Sequence, residues 1–202
     1  LIQQLFQGAQ SAGAECEEVI LSQLKINRCL GCLQCHRPEH LLRCVWDDKD
    51  DVRSVFNLIQ ASDLVIYATP VYVFGMSGLM KTFLDRLNAN GNSGELAIAQ
   101  SGLFFHHILP AICSKPFVSL ICCDNVEDET PRSARDYFRT FSRFMDAPQV
   151  GELIRKSSHL VLESIIEPAT QTDPVITQVL QSYTTAGEQL ATSGRITRKT
   201  QA

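Results

Sequence analysis

The sequence predicts an α/β fold, a doubly wound parallel sheet covered on both faces to make three layers. Three observations carry that prediction. Helix-like and strand-like segments alternate along the chain, the strand-like runs are short and aliphatic without polar alternation, and the helix-like runs each carry one apolar face. With 202 residues, 45% of them hydrophobic, the chain can bury one sizeable core, so a single domain over residues 1–202 is expected.

The elements follow in order. Ile2, Leu5, Phe6 and Ala9 share one face of a helix that ends near Gly13. Cys16 to Leu21 (CEEVIL) carries two glutamates and reads as an edge strand. Val52, Val55, Phe56 and Ile59 form a second apolar face after an Asp-rich start at Asp47 to Asp51. Leu64 to Ala68 (LVIYA) reads as a strand buried on two faces, and a loop from Thr69 to Ser77 follows, its turn shaped by Pro70 and Gly75. Met76, Leu79, Met80, Phe83, Leu84 and Leu87 then mark a helix entered near Ser77.

An insertion over about 88–114 begins with the loop signal NANGNSG. It continues as GLFFHHILPAI, which reads equally as a strand, a short helix or a contact surface for a second subunit. Phe117 to Cys123 (FVSLICC) is the next buried strand. Ala134, Tyr137, Phe138, Phe141 and Met145 share a helix face, with Thr130 as N-cap and Pro131 in the first helical position. Val150 to Ile154 supplies the last strand, Ser158 to Thr172 is ambiguous, and a helix from about Pro174 to Thr192 closes the series.

A net charge of -4 and a pI near 5.7 offer no basic field for a phosphate backbone, so nucleic acid is not expected as a partner. No apolar run approaches the roughly 18 residues of a membrane span, since Pro70 and Gly75 interrupt the most hydrophobic region. With no leader-like start, and with this much aliphatic core, the eight cysteines need not be disulfide staples, and a reducing cytoplasmic compartment is expected.

In an open parallel sheet, ligands lie beyond the carboxyl ends of the strands. The loop Thr69 to Ser77 (TPVYVFGMS) carries two aromatics there, and its backbone N–H groups lead into a helix N-terminus. It suits a flat, electron-poor ring such as a flavin; the plain alternative is a connecting loop with two packed aromatics.

The stretch CLGCLQC spaces Cys29, Cys32 and Cys35 by three, with Gly31 free to turn the backbone, and Cys44 follows after eight more residues. Thiolates in this pattern suit three corners of a [4Fe–4S] cubane with a fourth ligand from further along. Cluster-free thiols and zinc stay open beside that reading. Zinc fits least, because structural sites pair two separated C-x2-C hairpins, although His36 or His40 could complete one. Cys16, Cys113, Cys122 and Cys123 fall on apolar stretches and read as small core residues, and adjacent His106 and His107 would face opposite sides of a strand.

Together, C29-L-G-C-L-Q-C35 with Cys44 and V45-W-D-D48, A61-S-D-L-V-I-Y-A-T-P-V-Y72, G78-L-M-K-T-F-L-D-R86 and A186-G-E-Q-L-A-T-S-G194 resemble the flavodoxin-like NAD(P)H-dependent FMN reductases, and within them the iron-sulfur flavoproteins. The resemblance implies a flavodoxin-like sheet, bound FMN, NAD(P)H as co-substrate, electron delivery to a small acceptor such as a quinone, and homodimers or homotetramers. Hydride passes directly between nicotinamide and flavin, so no side-chain acid or base is expected.

By the same resemblance Pro70, Val71, Tyr72, Phe74, Gly75 and Ser77 line the isoalloxazine ring, and Asp124 with Asn125 forms another flavin-facing loop. Cys29, Cys32, Cys35 and Cys44 would be the cluster ligands. Lys81, Asp85 and Arg86 match the helix signature; Asp85 and Arg86 read as a charged pair at a solvated or interface end. Such families open with a central strand and a loop around the FMN phosphate, whereas this chain starts at Leu1 inside a helix. A sheet lacking its first strand, a detached Cys16–Leu21 edge, an N-terminal truncation and weakened FMN affinity are therefore expected.

Overall fold

A computed structural model describes residues 1–166 and 173–201 of the chain. Helix α1 (Ile2–Ser11) is followed by 3-10 turns at Leu21–Gln23, Gln34–His36 and Pro38–His40, then by α2 (Val52–Ala61), β1 (Val65–Tyr72), β2 (Gly75–Met76) and α3 (Gly78–Asp85). A 3-10 extension, Arg86–Asn90, leads into the hairpin β3 (Gly91–Ile98) and β4 (Phe104–Ile108), and the short α4 (Pro110–Cys113) returns the chain to β5 (Phe117–Cys122). The remainder is α5 (Arg132–Phe144), β6 (Gln149–Arg155), α6 (Ser158–Ile166), α7 (Pro174–Ser193) and α8 (Arg198–Gln201).

The main sheet has the order β2-β1-β5-β6, with β1, β5 and β6 parallel and β2 antiparallel. Alternate residues of β5 serve opposite faces. Phe117 and Ile121 join Tyr67 against Phe56, Phe83, Phe138 and Phe141 from α2, α3 and α5, while Val118 and Leu120 join Leu153 against Leu5, Tyr183 and Leu190 from α1 and α7. The sheet is thus covered on both sides, as a doubly wound α/β fold requires. On the second face α1 and α7 touch backbone to backbone at Gly8 and Gly187, where a Cβ would lie 1.9 Å from Thr184 O and 2.0 Å from Leu5 O.

Several expectations are corrected. Cys16 to Leu21, read as an edge strand, joins no ladder, and Leu21 already opens a 3-10 turn. Among the described residues β1 is paired on that side only at Val71 and Tyr72, by β2, so the segment has no strand to extend; Val19, Leu21, Leu24 and Ile26 pack on the core instead. β1 does not stop at Ala68 but runs through Pro70 to Tyr72. A proline is tolerated because no strand pairs with that edge of β1 at Pro70, and its missing N–H breaks no ladder bond. NANGNSG is the end of the 3-10 extension and the start of β3, a strand bulged between Asn92 and Leu96, and the stretch after it supplies both a strand, β4, and the helix α4. The N-cap of α5 is Pro131 in place of Thr130, with no side-chain cap. Of the ambiguous stretch after β6, 158–166 is helix α6, and 167–172 lie outside the described residues. No described helix is long and apolar enough to cross a membrane.

Candidate functional site

At the carboxyl end of the sheet, the parallel register of Thr69 with Ile121 and Pro70 with Cys122 brings the end of β1 beside the end of β5. β1 reverses there in a two-residue turn at Val73 (φ 47°) and Phe74 (φ 63°), and β2 returns through Gly75, whose backbone is not left-handed. The turn glycine expected at position 75 is therefore displaced by two bulky residues. A left-handed β-branched residue is strained by on the order of 1–3 kcal/mol, and such strain concentrates at ligand sites.

Tyr72 and Phe74 expose their rings at this turn, and Val73 is 93% exposed. Beneath them buried Thr69 ties the hairpin to α3. Its hydroxyl donates to Pro70 O at 2.9 Å and accepts from Ser77 N–H at 3.0 Å, while Ser77 Oγ caps α3 by accepting from Met80 N–H. We expect Val73→Gly to stabilise the fold by about 1 kcal/mol, strain relief exceeding the backbone entropy that glycine adds. Urea midpoints of the two proteins check this.

Beyond β5, Asp124 Oδ1 accepts from Ser158 Oγ at 2.7 Å and from His159 N–H at 3.0 Å. The Ser158 bond, then the His159 N–H, hold its carboxyl below the usual range. The Asp124 carboxylate is thus bonded to the start of α6. Neighbouring Asn125 accepts a weak bond from the buried Cys123 thiol through its carbonyl. Burial pushes the Cys122 thiol up to about 11 and the Cys113 thiol up to about 12, so both remain neutral. Cys16, read as a core residue, is half-buried outside any strand.

The second constellation lies at the end of α3. Cys29, Cys32, Cys35 and Cys44 line one recess, walled by Val45 and Trp46 and reached by Arg86. Left-handed Gly31 (φ 62°) and Leu33 (φ 56°) curl the loop so that residues three apart turn toward a common side. None of the four thiols is in a disulfide. Burial raises the Cys35 thiol, and the charges of Cys44, Cys29 and Cys32 raise it further. Among the described residues no group of three potential ligands gathers to hold a single ion.

A carboxylate frame holds both limbs of this loop. Asp51 accepts from Lys25 N–H at 2.7 Å, Asp50 from Asn27 N–H at 3.0 Å, and Asp47 from Cys44 N–H at 3.0 Å. The Trp46 indole donates to Arg28 O at 3.1 Å. Two arginines brace the frame. Arg53 donates to Asp47 Oδ2 at 2.6 Å and to Leu42 O at 2.9 Å; Arg86 bonds Asp50 and donates to Asn27 O at 3.0 Å. Arg86, expected at a solvated or interface end, is 1% exposed, whereas Asp85 is exposed and paired with Lys81. The frame is what sequence reasoning missed: DDKDD signals a helix start, and nothing local shows that it also binds Lys25 and Asn27.

His36, beside the thiols, has a structural role. His36 Nδ1 accepts from Ser93 N–H and Nε2 faces Asn88 Oδ1, both at 3.4 Å, fixing the 3-10 turn against β3. Its ring meets that of His106 edge-on at 6.1 Å.

A profile of the family described as NADPH-dependent FMN reductase matches residues 1–104. The chain is 39% identical over 87 residues to an iron-sulfur flavoprotein of Archaeoglobus fulgidus, covering 43% of this chain and 37% of that protein. It is 38% identical over 77 residues to an iron-sulfur flavoprotein of Methanocaldococcus jannaschii, covering 38% of this chain and 37% of that protein. The match thus spans little more than a third of the length of these curated relatives. In fold the chain is similar to an azoreductase of Bacillus anthracis, with a TM-score of 0.63 at 14% identity over 93% of this chain and 88% of the other.

Proposed function

The chain belongs to the NADPH-dependent FMN reductase family, and from that premise we propose that it is a flavin-dependent oxidoreductase carrying electrons from NAD(P)H through bound FMN to a small acceptor such as a quinone. The observation that supports this reading best is the strained hairpin at the carboxyl end of β1. It holds Tyr72 and Phe74 exposed at the fold's ligand-binding edge, where aromatic faces stack on a flat ring and exclude water from it. FMN would supply the hydride chemistry, and Pro70, Val71, Tyr72, Phe74, Gly75 and Ser77, with Asp124 and Asn125 across the strand ends, would orient it. Thr69 fixes that hairpin without facing solvent itself.

The double substitution Tyr72→Ala with Phe74→Ala is expected to weaken FMN binding about tenfold or more, two stacking contacts being worth on the order of 1–3 kcal/mol. Quenching of flavin fluorescence on titration checks it. Anaerobic purification with an absorption spectrum tests the reading as a whole: flavin bands that bleach on adding NADH or NADPH support it, and a protein that takes up no FMN in either redox state overturns it.

A second reading, an electron-transfer iron-sulfur flavoprotein without its own NAD(P)H activity, is favoured by the thiol recess. Four soft thiol donors around one recess, three of them spaced by three, suit the ligand set of a [4Fe–4S] cluster, whereas structural zinc sites usually pair two separated C-x2-C hairpins. Cys29, Cys32, Cys35 and Cys44 would hold that cluster, which passes electrons one at a time. Bound flavin that NAD(P)H does not bleach, together with iron and acid-labile sulfide, selects this reading over the first.

In either reading residues 1–202 act as one domain with 88–114 as an insertion, and the protein works as a homodimer or homotetramer. Exposed Leu96, Ile98 and Phe104 on the hairpin support such assembly.

A further inference from the structure

Among the described residues, two buried nitrogens of Arg86 find no hydrogen-bond acceptor. Its Nη1 serves Asp50 and the Asn27 carbonyl, yet Nε and Nη2 have no acceptor, and Asp47 Oδ1, 3.7 Å from Nη2, is equally unbonded. Buried donors without partners are rare in folded proteins, and each has a cause. The side chain is 1% exposed and lines the same recess as the four thiols. Arg53, the other cation of the frame, spends its nitrogens on Asp47, Leu42 O and Asn90.

Resting on the cluster reading above, we propose that Arg86 is a positioning residue that sets the electron affinity of the group held by Cys29, Cys32, Cys35 and Cys44. With that group bound, the unpartnered Nε–H and Nη2–H of Arg86 would be the donors available to it, while Asp50 and Asp47 would determine how much of the guanidinium's positive charge it feels. Reduction adds one electron and makes or breaks no bond, so the reduced form is more negative by one unit. A buried cation with two N–H donors stabilises that form, and a neighbouring carboxylate opposes it. Guanidinium suits the role because it does not deprotonate and because its rigid fork binds Asp50 through one edge while presenting donors along another. A lysine would keep the charge and lose the second edge.

The test is an anaerobic redox titration of the full-length protein followed by the electron paramagnetic resonance of the reduced cluster. Iron and acid-labile sulfide are measured on the same samples of wild type, Arg86→Lys, Arg86→Gln and Asp50→Asn. Arg86→Gln is expected to lower the reduced-to-oxidised ratio about tenfold at the wild-type midpoint, ~59 mV for one electron. Asp50→Asn is expected to move the midpoint in the opposite direction, and Arg86→Lys to fall between wild type and Arg86→Gln. A residue that only holds the fold would produce no such opposed shifts.

Wild-type midpoints in iron-replete variants, or shifts of the same sign for Arg86→Gln and Asp50→Asn, overturn the proposal. Should Arg86→Gln fail to fold or keep iron, Arg86→Lys and Asp50→Asn decide it by the same criterion of opposite signs. Wild-type protein without iron and sulfide defeats the cluster reading itself and this proposal with it, before any variant is compared.

Discussion

Replacing Arg86 by leucine is expected to cost about 3–5 kcal/mol of stability at pH 7, the penalty for leaving a buried charge without its partner. The Asp50 side chain is 0% exposed and Asp47 nearly so, and both face this guanidinium. Burial would raise the Asp50 carboxyl, but the Arg86 bond and the Asn27 N–H more than reverse it, holding its pKa below the ordinary value. A carboxyl depressed in the folded state contributes stability above its unfolded pKa of about 3.9, and loses it as pH falls toward the folded value. Without Arg86 the buried carboxyl is raised instead and can be protonated. The deficit of Arg86→Leu should therefore be largest near neutrality and shrink below about pH 5. The double variant Arg86→Leu with Asp50→Asn should recover part of the loss, because the second substitution removes the stranded charge. Urea unfolding at pH 7 and pH 4.5 measures both effects. A deficit under about 1 kcal/mol at pH 7, or one that grows on acidification, contradicts the account.

The parts of the fold legible in the sequence are those fixed by local pattern. FVSLICC and LVIYA lack polar alternation because β1 and β5 are covered on both faces, and α1, α2, α3 and α5 each showed the stripe that they bury. The thiol recess was legible because its cysteines are near neighbours in the chain, and Cys29, Cys32, Cys35 and Cys44 line it together. What escaped depends on partners distant in sequence. Arg86 looks like the solvated end of an amphipathic helix until the 3-10 extension turns it toward Asp50, 36 residues away. Cys16 to Leu21 has the composition of an edge strand, yet a strand exists only where a neighbour supplies the ladder. Val73 and Phe74 offer no turn chemistry at all; the connection to the capped start of α3 through Thr69 and Ser77 imposes their left-handed backbone.

Substituting alanine for Gly8 or Gly187 sets two effects of opposite sign against each other. Alanine in a helix interior is favoured over glycine by about 1 kcal/mol, so propensity alone predicts that either change stabilises the protein. The crossing of α1 and α7 predicts the reverse. A Cβ at Gly187 would stand 2.0 Å from Leu5 O and 2.8 Å from Ala9 N, and one at Gly8 1.9 Å from Thr184 O, all backbone atoms that cannot rotate away. The helices would have to part by more than an ångström, loosening Leu5, Tyr183 and Ala186 from Val118, Leu120 and Leu153. Overpacking of that kind typically costs 1–3 kcal/mol, and contacts this short belong at or above the top of the range. Sterics therefore outweigh propensity, and we expect each single variant to lose about 2–3 kcal/mol net. Because one separation relieves both clashes, Gly8→Ala with Gly187→Ala should cost clearly less than the sum of the two. Urea midpoints of the three variants give the answer, and a single variant as stable as the parent would mean that the two helices do not cross backbone against backbone.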